Sequence, residues 1–133
     1  MYMMYRSNTD RLWCAIGRKN GEFWSGPYPT NFSDCGTKMR FGRLSNGRYF
    51  YIGSPVPGSN RLPLVLSLSD DGLCYDRHYI LRDEPYKQQF SGMYKGGVYA
   101  YPDAVEAEGK LYIVYSKHKE AIEVTTISIS DLQ

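Results

Sequence analysis

The stretch "YFYIGSPVPGSNRLPLVLSLSDDGLCYD", Tyr49 to Asp76, reads as a strand, a loop, a second strand and a tight turn. Residues 49–53 are an aromatic and β-branched run ending in a small residue, as a strand does before a loop. Residues 54–61 collect Ser, Pro, Gly and Asn, which punctuate regular structure. A second apolar run, Leu64 to Leu68, is closed by Ser69-Asp70-Asp71-Gly72, a sequence with turn chemistry. The strand, loop and second strand recur in "YMMYRSNTDRLWCAIGRKNGEFWS", Tyr2 to Ser25, and in "LYIVYSKHKEAIEVTTISISDL", Leu111 to Leu132. Ser7 aligns with Ser54, 47 residues on, and Ser54 with Ser116, 62 residues on. The longer step leaves room for the insertion "DEPYKQQFSGMYKGG", residues 83–97.

A repeat near 47 residues is the size of one four-stranded propeller blade, roughly 40–50 residues. Strands are expected near 1–6, 11–17, 38–43, 48–53, 62–68, 76–82, 97–105, 110–116 and 121–128. No helix is expected. Residues 106–121 contain helix formers, but Gly109 and a β-branched run interrupt them. Nine strands make between two and three blades, whereas a closed ring has about 4–8 blades. The expected fold class is all-β: a partial β-propeller of two to three four-stranded antiparallel blades. Residues 1–133 are expected to form one partial domain of something larger, because "MYMMY" reads as the interior of a strand; the alternative is that this strand is an edge. Missing blades or self-association are therefore expected partners.

"GGVYAYPDAVEAEGKLYIVYS", Gly96 to Ser116, reads as two alternating strands around a Glu108-Gly109 turn. Within it Pro102 cannot donate to a ladder and belongs at an edge, a strand start or a bulge. That placement singles out the phenol of Tyr101.

A chain of 133 residues with 42% hydrophobic and 23% charged content is globular rather than disordered. A net charge of +2 lends no support to nucleic-acid binding. Thirteen tyrosines favour strands and pocket linings. No apolar run approaches the roughly 20 residues of a membrane span. "MYMMYRSNTD" has neither the basic start nor the apolar region of a signal peptide. Cys14, Cys35 and Cys74 have no C-x-x-C spacing and are expected as free, buried thiols; no metal or cofactor is expected. His78 and His118 lie in polar stretches and are expected to be solvated.

The turns resemble those of the sialidase-like, Asp-box propellers. "GRKNGEFW", Gly17 to Trp24, is similar to S-x-D-x-G-x-T-W with Gly21 and Trp24 kept. "SDDGLCY", Ser69 to Tyr75, is similar to a shortened form of the same box. The resemblance implies a propeller and, in its catalytic members, exo-hydrolysis of a terminal acidic sugar. Such enzymes use a tyrosine nucleophile, because a neutral phenol meets no repulsion from the sugar carboxylate. Arginine forks hold that carboxylate. The order of motifs implies substrate-binding roles for Arg6, in "MYRS", and Arg61, in "SNRLPL". It implies the nucleophile position for Tyr101, in "AYPDAVEAEGKLYIVYS". The chain departs from the pattern at Pro102, where a Ser is usual, and at Ser116, where a Glu is usual. The family's first arginine, acid/base Asp and tyrosine-activating Glu precede this region. The local carboxylates Asp34, Asp103 and Glu106 map to none of those roles. A glycan is the implied ligand. A non-catalytic carbohydrate-binding or interaction propeller, or a glycosidase for another glycan, are the alternatives. A secreted or periplasmic location is what the family implies.

Overall fold

The computed structural model describes residues 1–132. Eleven strands form three antiparallel sheets, one per repeat. The first sheet holds β1 (Tyr2–Tyr5), β2 (Arg11–Arg18), β3 (Phe23–Trp24) and β4 (Tyr28–Ser33), with β2 central. The second runs in chain order through β5 (Arg40–Arg43), β6 (Tyr49–Gly53), β7 (Leu64–Ser69) and β8 (Arg77–Arg82). The third is β9 (Tyr99–Ala107), β10 (Lys110–Lys117) and β11 (Ala121–Ser128). This is the all-β, partial propeller architecture expected from the repeats. The only helical pieces among the described residues are two 3₁₀ turns, Lys19–Gly21 and Ile129–Asp131. Among the described residues no helix is long and apolar enough to cross a membrane.

Two strands go beyond the nine expected, and both have local reasons for escaping a pattern search. β3 is two residues long. β4, "YPTNFS", carries Pro29 and Asn31, which count against a strand. It is tolerated because β4 lies at the outer edge and pairs with β2 across a register irregularity between Arg11 and Trp13.

The strongest core lies between the second and third sheets. Leu64, Leu66 and Leu68 of β7 join Phe50 and Ile52 of β6 in a buried cluster with Leu111, Ile113 and Tyr115 of β10. Every residue of β7 is buried, which explains why "LVLSLS" is apolar or small throughout instead of alternating with charges. β10 does alternate: Leu111, Ile113 and Tyr115 face inward, while Tyr112 and Val114 do not. The first and second sheets meet through rings instead. Phe32 of β4 lies 4.7 Å from Tyr51 of β6 and 5.4 Å from Tyr75, and Phe41 of β5 contacts both tyrosines.

The box-like turns are built as their residues suggest. In the second turn the Ser69 hydroxyl accepts from the Gly72 amide at 2.8 Å. Asp71 Oδ1 accepts from the Leu73 and Cys74 amides, both at 2.8 Å. These backbone donors hold the Asp71 carboxyl below its usual range. In the first turn Trp24 Nε1 donates to the Gly21 carbonyl at 2.9 Å, and the indole lies flat on Gly17. An added Cβ at Gly17 would sit 3.0 Å from that ring, which explains why the box serine is absent there.

One face of the third sheet is uncovered. Val105, Ile122 and Val124 are 63%, 78% and 58% exposed, and Val114 pairs with Val124 across the strands. At the other end of the chain β1 presents Tyr2, Met3 and Tyr5 to solvent.

Candidate functional site

The loops that follow β1, β6 and β10 lie at one end of the three sheets, and backbone hydrogen bonds tie them together. Asp10, in the β1–β2 loop, accepts from the Asp34 amide at 3.1 Å, and the next residue, Cys35, donates to the Ser54 carbonyl at 3.1 Å. Asn60 and Arg61, in the β6–β7 loop, accept from the Val98 and Tyr99 amides. The Val98 carbonyl accepts from His118, in the β10–β11 turn, at 2.6 Å. Loops from three repeats therefore share one surface, and it carries Arg6, Arg61 and Tyr101.

Tyr101 sits where β9 breaks register. Ala100 pairs with Ser116 and Asp103 with Val114, so Tyr101 and Pro102 together oppose Tyr115. This is a bulge, a position where the missing proline donor costs no ladder bond. Tyr101 has a φ of 56° and is 48% exposed, whereas Pro102 is buried. A bulky residue held at positive φ is strained, and such strain gathers at sites that must aim a side chain.

Arg61 is brought to that ring. Its guanidinium carbon lies 5.9 Å from the Tyr101 centroid. Gly97 makes room for it: a Cβ there would sit 2.5 Å from Arg61 Cδ, and the Gly97 φ of +81° suits glycine alone. Arg61 Nε is buried without a hydrogen-bond partner.

Arg6 is exposed on the same end of the molecule but acts on a different group. Its charge bears on Asp34, a carboxylate only 1% exposed. Asp34 Oδ2 accepts from the Gly36 amide at 2.8 Å and Oδ1 from the Tyr51 hydroxyl at 3.1 Å. Burial pushes the Asp34 carboxyl up; the Gly36, Tyr51 and Cys35 donors and Arg6 offset only part of that. Burial and the Asp34 charge push the Tyr51 phenol up as well. A phenol bonded to a carboxylate has the composition of an activated nucleophile, but this pair is sealed from solvent and serves the core. No contact joins Arg6 to Tyr101 among the described residues. The remaining local carboxylates are also occupied: Asp103 pairs with Arg40 at 3.1 Å, and Glu106 accepts from the Ser45 amide at 2.8 Å and from its hydroxyl.

The β10–β11 turn, "KHKE", is more than a charged turn. Lys119 Nζ lies 5.6 Å from the Tyr101 centroid and donates to the Tyr94 carbonyl. The Glu120 carboxylate accepts from Lys95 Nζ at 2.7 Å and from the Gln89 and Phe90 amides. Burial opposes its ionisation, yet these donors hold it at about 2. Glu120 thus pins the insertion 83–97 beside Tyr101. His118 is half-buried against Tyr86, with Nδ1 buried and unpartnered, instead of solvated as expected. Ser116 has a buried hydroxyl without a partner. His78 is exposed, as expected, with Nδ1 2.8 Å from the Ser67 hydroxyl. The three cysteines are free, but only Cys14 is buried, and Cys74 is exposed because it follows the Asp71 turn. No cluster of His, Cys, Asp or Glu among the described residues has metal-binding geometry.

Compared with known protein families, residues 1–113 match the family described as BNR repeat-like domain. No curated protein matches the chain.

Proposed function

The chain belongs to the BNR repeat-like, sialidase-type family, and from that premise we propose that its shared loop end carries part of a glycan site. The parent reaction is exo-hydrolysis of a terminal acidic sugar. The observation that carries this reading is the half-exposed phenol of Tyr101, held in a left-handed bulge beside Arg61. In the reaction the Tyr101 hydroxyl gives its proton to a base and its oxygen bonds to the anomeric carbon as the glycosidic C–O bond breaks. The leaving oxygen takes a proton from an acid, and water then releases the sugar. Arg61 holds the sugar's carboxylate, and Arg6 belongs to the same acidic-sugar reading from its place in the motif order.

The chain's own groups support binding further than turnover. Among the described residues no carboxylate hydrogen-bonds the Tyr101 hydroxyl. Proton transfers of this kind contribute about 10²–10⁴-fold each. The acid and the base for Tyr101 come from outside these residues. The same observation favours a second reading, a propeller that binds glycans without cleaving them.

A fluorogenic sialoside assay combined with an equilibrium titration of N-acetylneuraminic acid tests the proposal. The expected result is weak binding, reduced about tenfold by Arg61→Ala, and no turnover. Binding that is absent in the unsubstituted chain sinks the glycan reading. Turnover by the chain alone sinks the claim that its proton donors lie elsewhere.

We also propose that residues 1–133 are one part of a larger propeller, with the valine face of the third sheet covered by a neighbouring blade. Exposed contiguous apolar surface of this kind marks a missing partner. Sedimentation of the isolated chain is expected to show concentration-dependent self-association. A monodisperse monomer over the whole concentration range would count against this arrangement.

A further inference from the structure

We propose that Lys119 is a specificity-determining residue of this site, holding with Arg61 the anionic group of the glycan beside Tyr101. The inference rests on the glycan reading above and concerns which cations face the phenol. Two do: the Arg61 guanidinium and the Lys119 ammonium, 5.9 and 5.6 Å from the ring centroid. Three neighbouring cations each have a carboxylate partner. Lys95 pairs with Glu120 at 2.7 Å, Lys117 with Glu123 at 3.1 Å, and Arg40 with Asp103. Arg61 and Lys119 have no ion-pair partner among the described residues. Two positive charges without ion-pair partners therefore lie within 6 Å of the centroid of one half-exposed ring, an arrangement that favours an anion beside it.

Both cations are held in place before any ligand arrives. The Arg61 stem lies on Gly97, and the Lys119 ammonium is anchored by the Tyr94 carbonyl of the insertion. Lys119 also sits at a φ of 55°, one of two consecutive left-handed residues in a turn that Glu120 fixes through Lys95 and two amides. Pre-placement of this kind reduces the ordering cost of binding. The two cations are chemically complementary: a guanidinium takes a carboxylate as a planar fork, and an ammonium adds a compact point charge with donors that rotate. Arg6 is less suited to this role, because it is exposed and has no contact with the Tyr101 ring among the described residues.

The test uses the full chain, labelled with ¹⁵N and titrated by NMR with two probes, N-acetylneuraminic acid and its uncharged methyl ester. The acid is expected to bind more tightly than the ester. Lys119→Met is expected to weaken acid binding about tenfold and leave ester binding unchanged. Lys119→Arg is expected to restore the acid preference. Arg6→Met is expected to change acid binding less than Lys119→Met does. Because Lys119 also anchors the insertion, an equal loss for acid and ester shows a purely structural role and overturns the proposal. Acid binding by Lys119→Met equal to that of the unsubstituted chain overturns it too, while leaving the glycan reading intact. If the unsubstituted chain binds neither probe, the glycan reading fails and the clamp with it.

Discussion

Leu66→Ala is expected to lower stability by about 2–5 kcal/mol, the range for emptying a leucine site in a packed core. Leu66 is 0% exposed at the centre of β7, and its side chain belongs to the cluster that joins the second sheet to β10 of the third. The strands on both sides of β7 are paired, so the backbone has little freedom to close the cavity. A loss of that size is a large share of the roughly 5–15 kcal/mol that holds a domain together. Urea unfolding followed by far-UV circular dichroism measures it. A loss below about 1 kcal/mol would show that the second and third sheets do not depend on this contact. The same change bears on the site, since the docking of those sheets is what brings Arg61 to Tyr101. Loss of acidic-sugar binding should therefore accompany the loss of stability.

Asp34→Ala is expected to cost about 2–4 kcal/mol at low pH, because it leaves the buried Tyr51 hydroxyl and the half-buried Gly36 amide without their acceptor. The pH dependence distinguishes this from simple packing loss. Burial raises the folded-state pKa of Asp34 above its unfolded value. Between those two values the folded chain binds more protons than the unfolded chain. Stability from this group is therefore greatest below the unfolded pKa and falls as pH rises through the folded one. Asp34→Asn keeps an acceptor for Gly36 and a group that can bond the Tyr51 oxygen, and it carries no charge. It should remove this fall and match or exceed the parent's stability at neutral pH. The check is a set of thermal melts across mildly acidic to neutral pH. An Asn variant that retains the parent's pH profile would show that Asp34 is not the titrating group.

Much of the fold is written in local pattern. Period-2 alternation in "KLYIVYS", the unbroken apolar run "LVLSL" and the Ser-Asp-Asp-Gly turn each depend on residues close in sequence, so their structures were legible without coordinates. Pro102 was legible too, because a residue that cannot donate has few places in a sheet, and a bulge is one of them. β4 was not, because its proline and asparagine are made acceptable by an outer-edge position that only the assembled sheet defines.

The site divides along the same line. The sequence by itself determined that Arg6 and Arg61 stand beside the first strand-to-strand loops of two repeats and that Tyr101 stands beside Pro102 in a strand of the third. Only the tertiary structure decided which of them meet. Arg61 reaches Tyr101 because Gly97 leaves its stem room and because a leucine-rich core docks the second sheet on the third. Arg6 stays exposed without a contact to the phenol, and Lys119, from a turn that reads as ordinary solvated charge, lies over it. The physical reason is range. Strands and turns are set by hydrogen bonds and side-chain alternation between near neighbours. The distance between two loops is set by how whole sheets pack, which no single segment encodes.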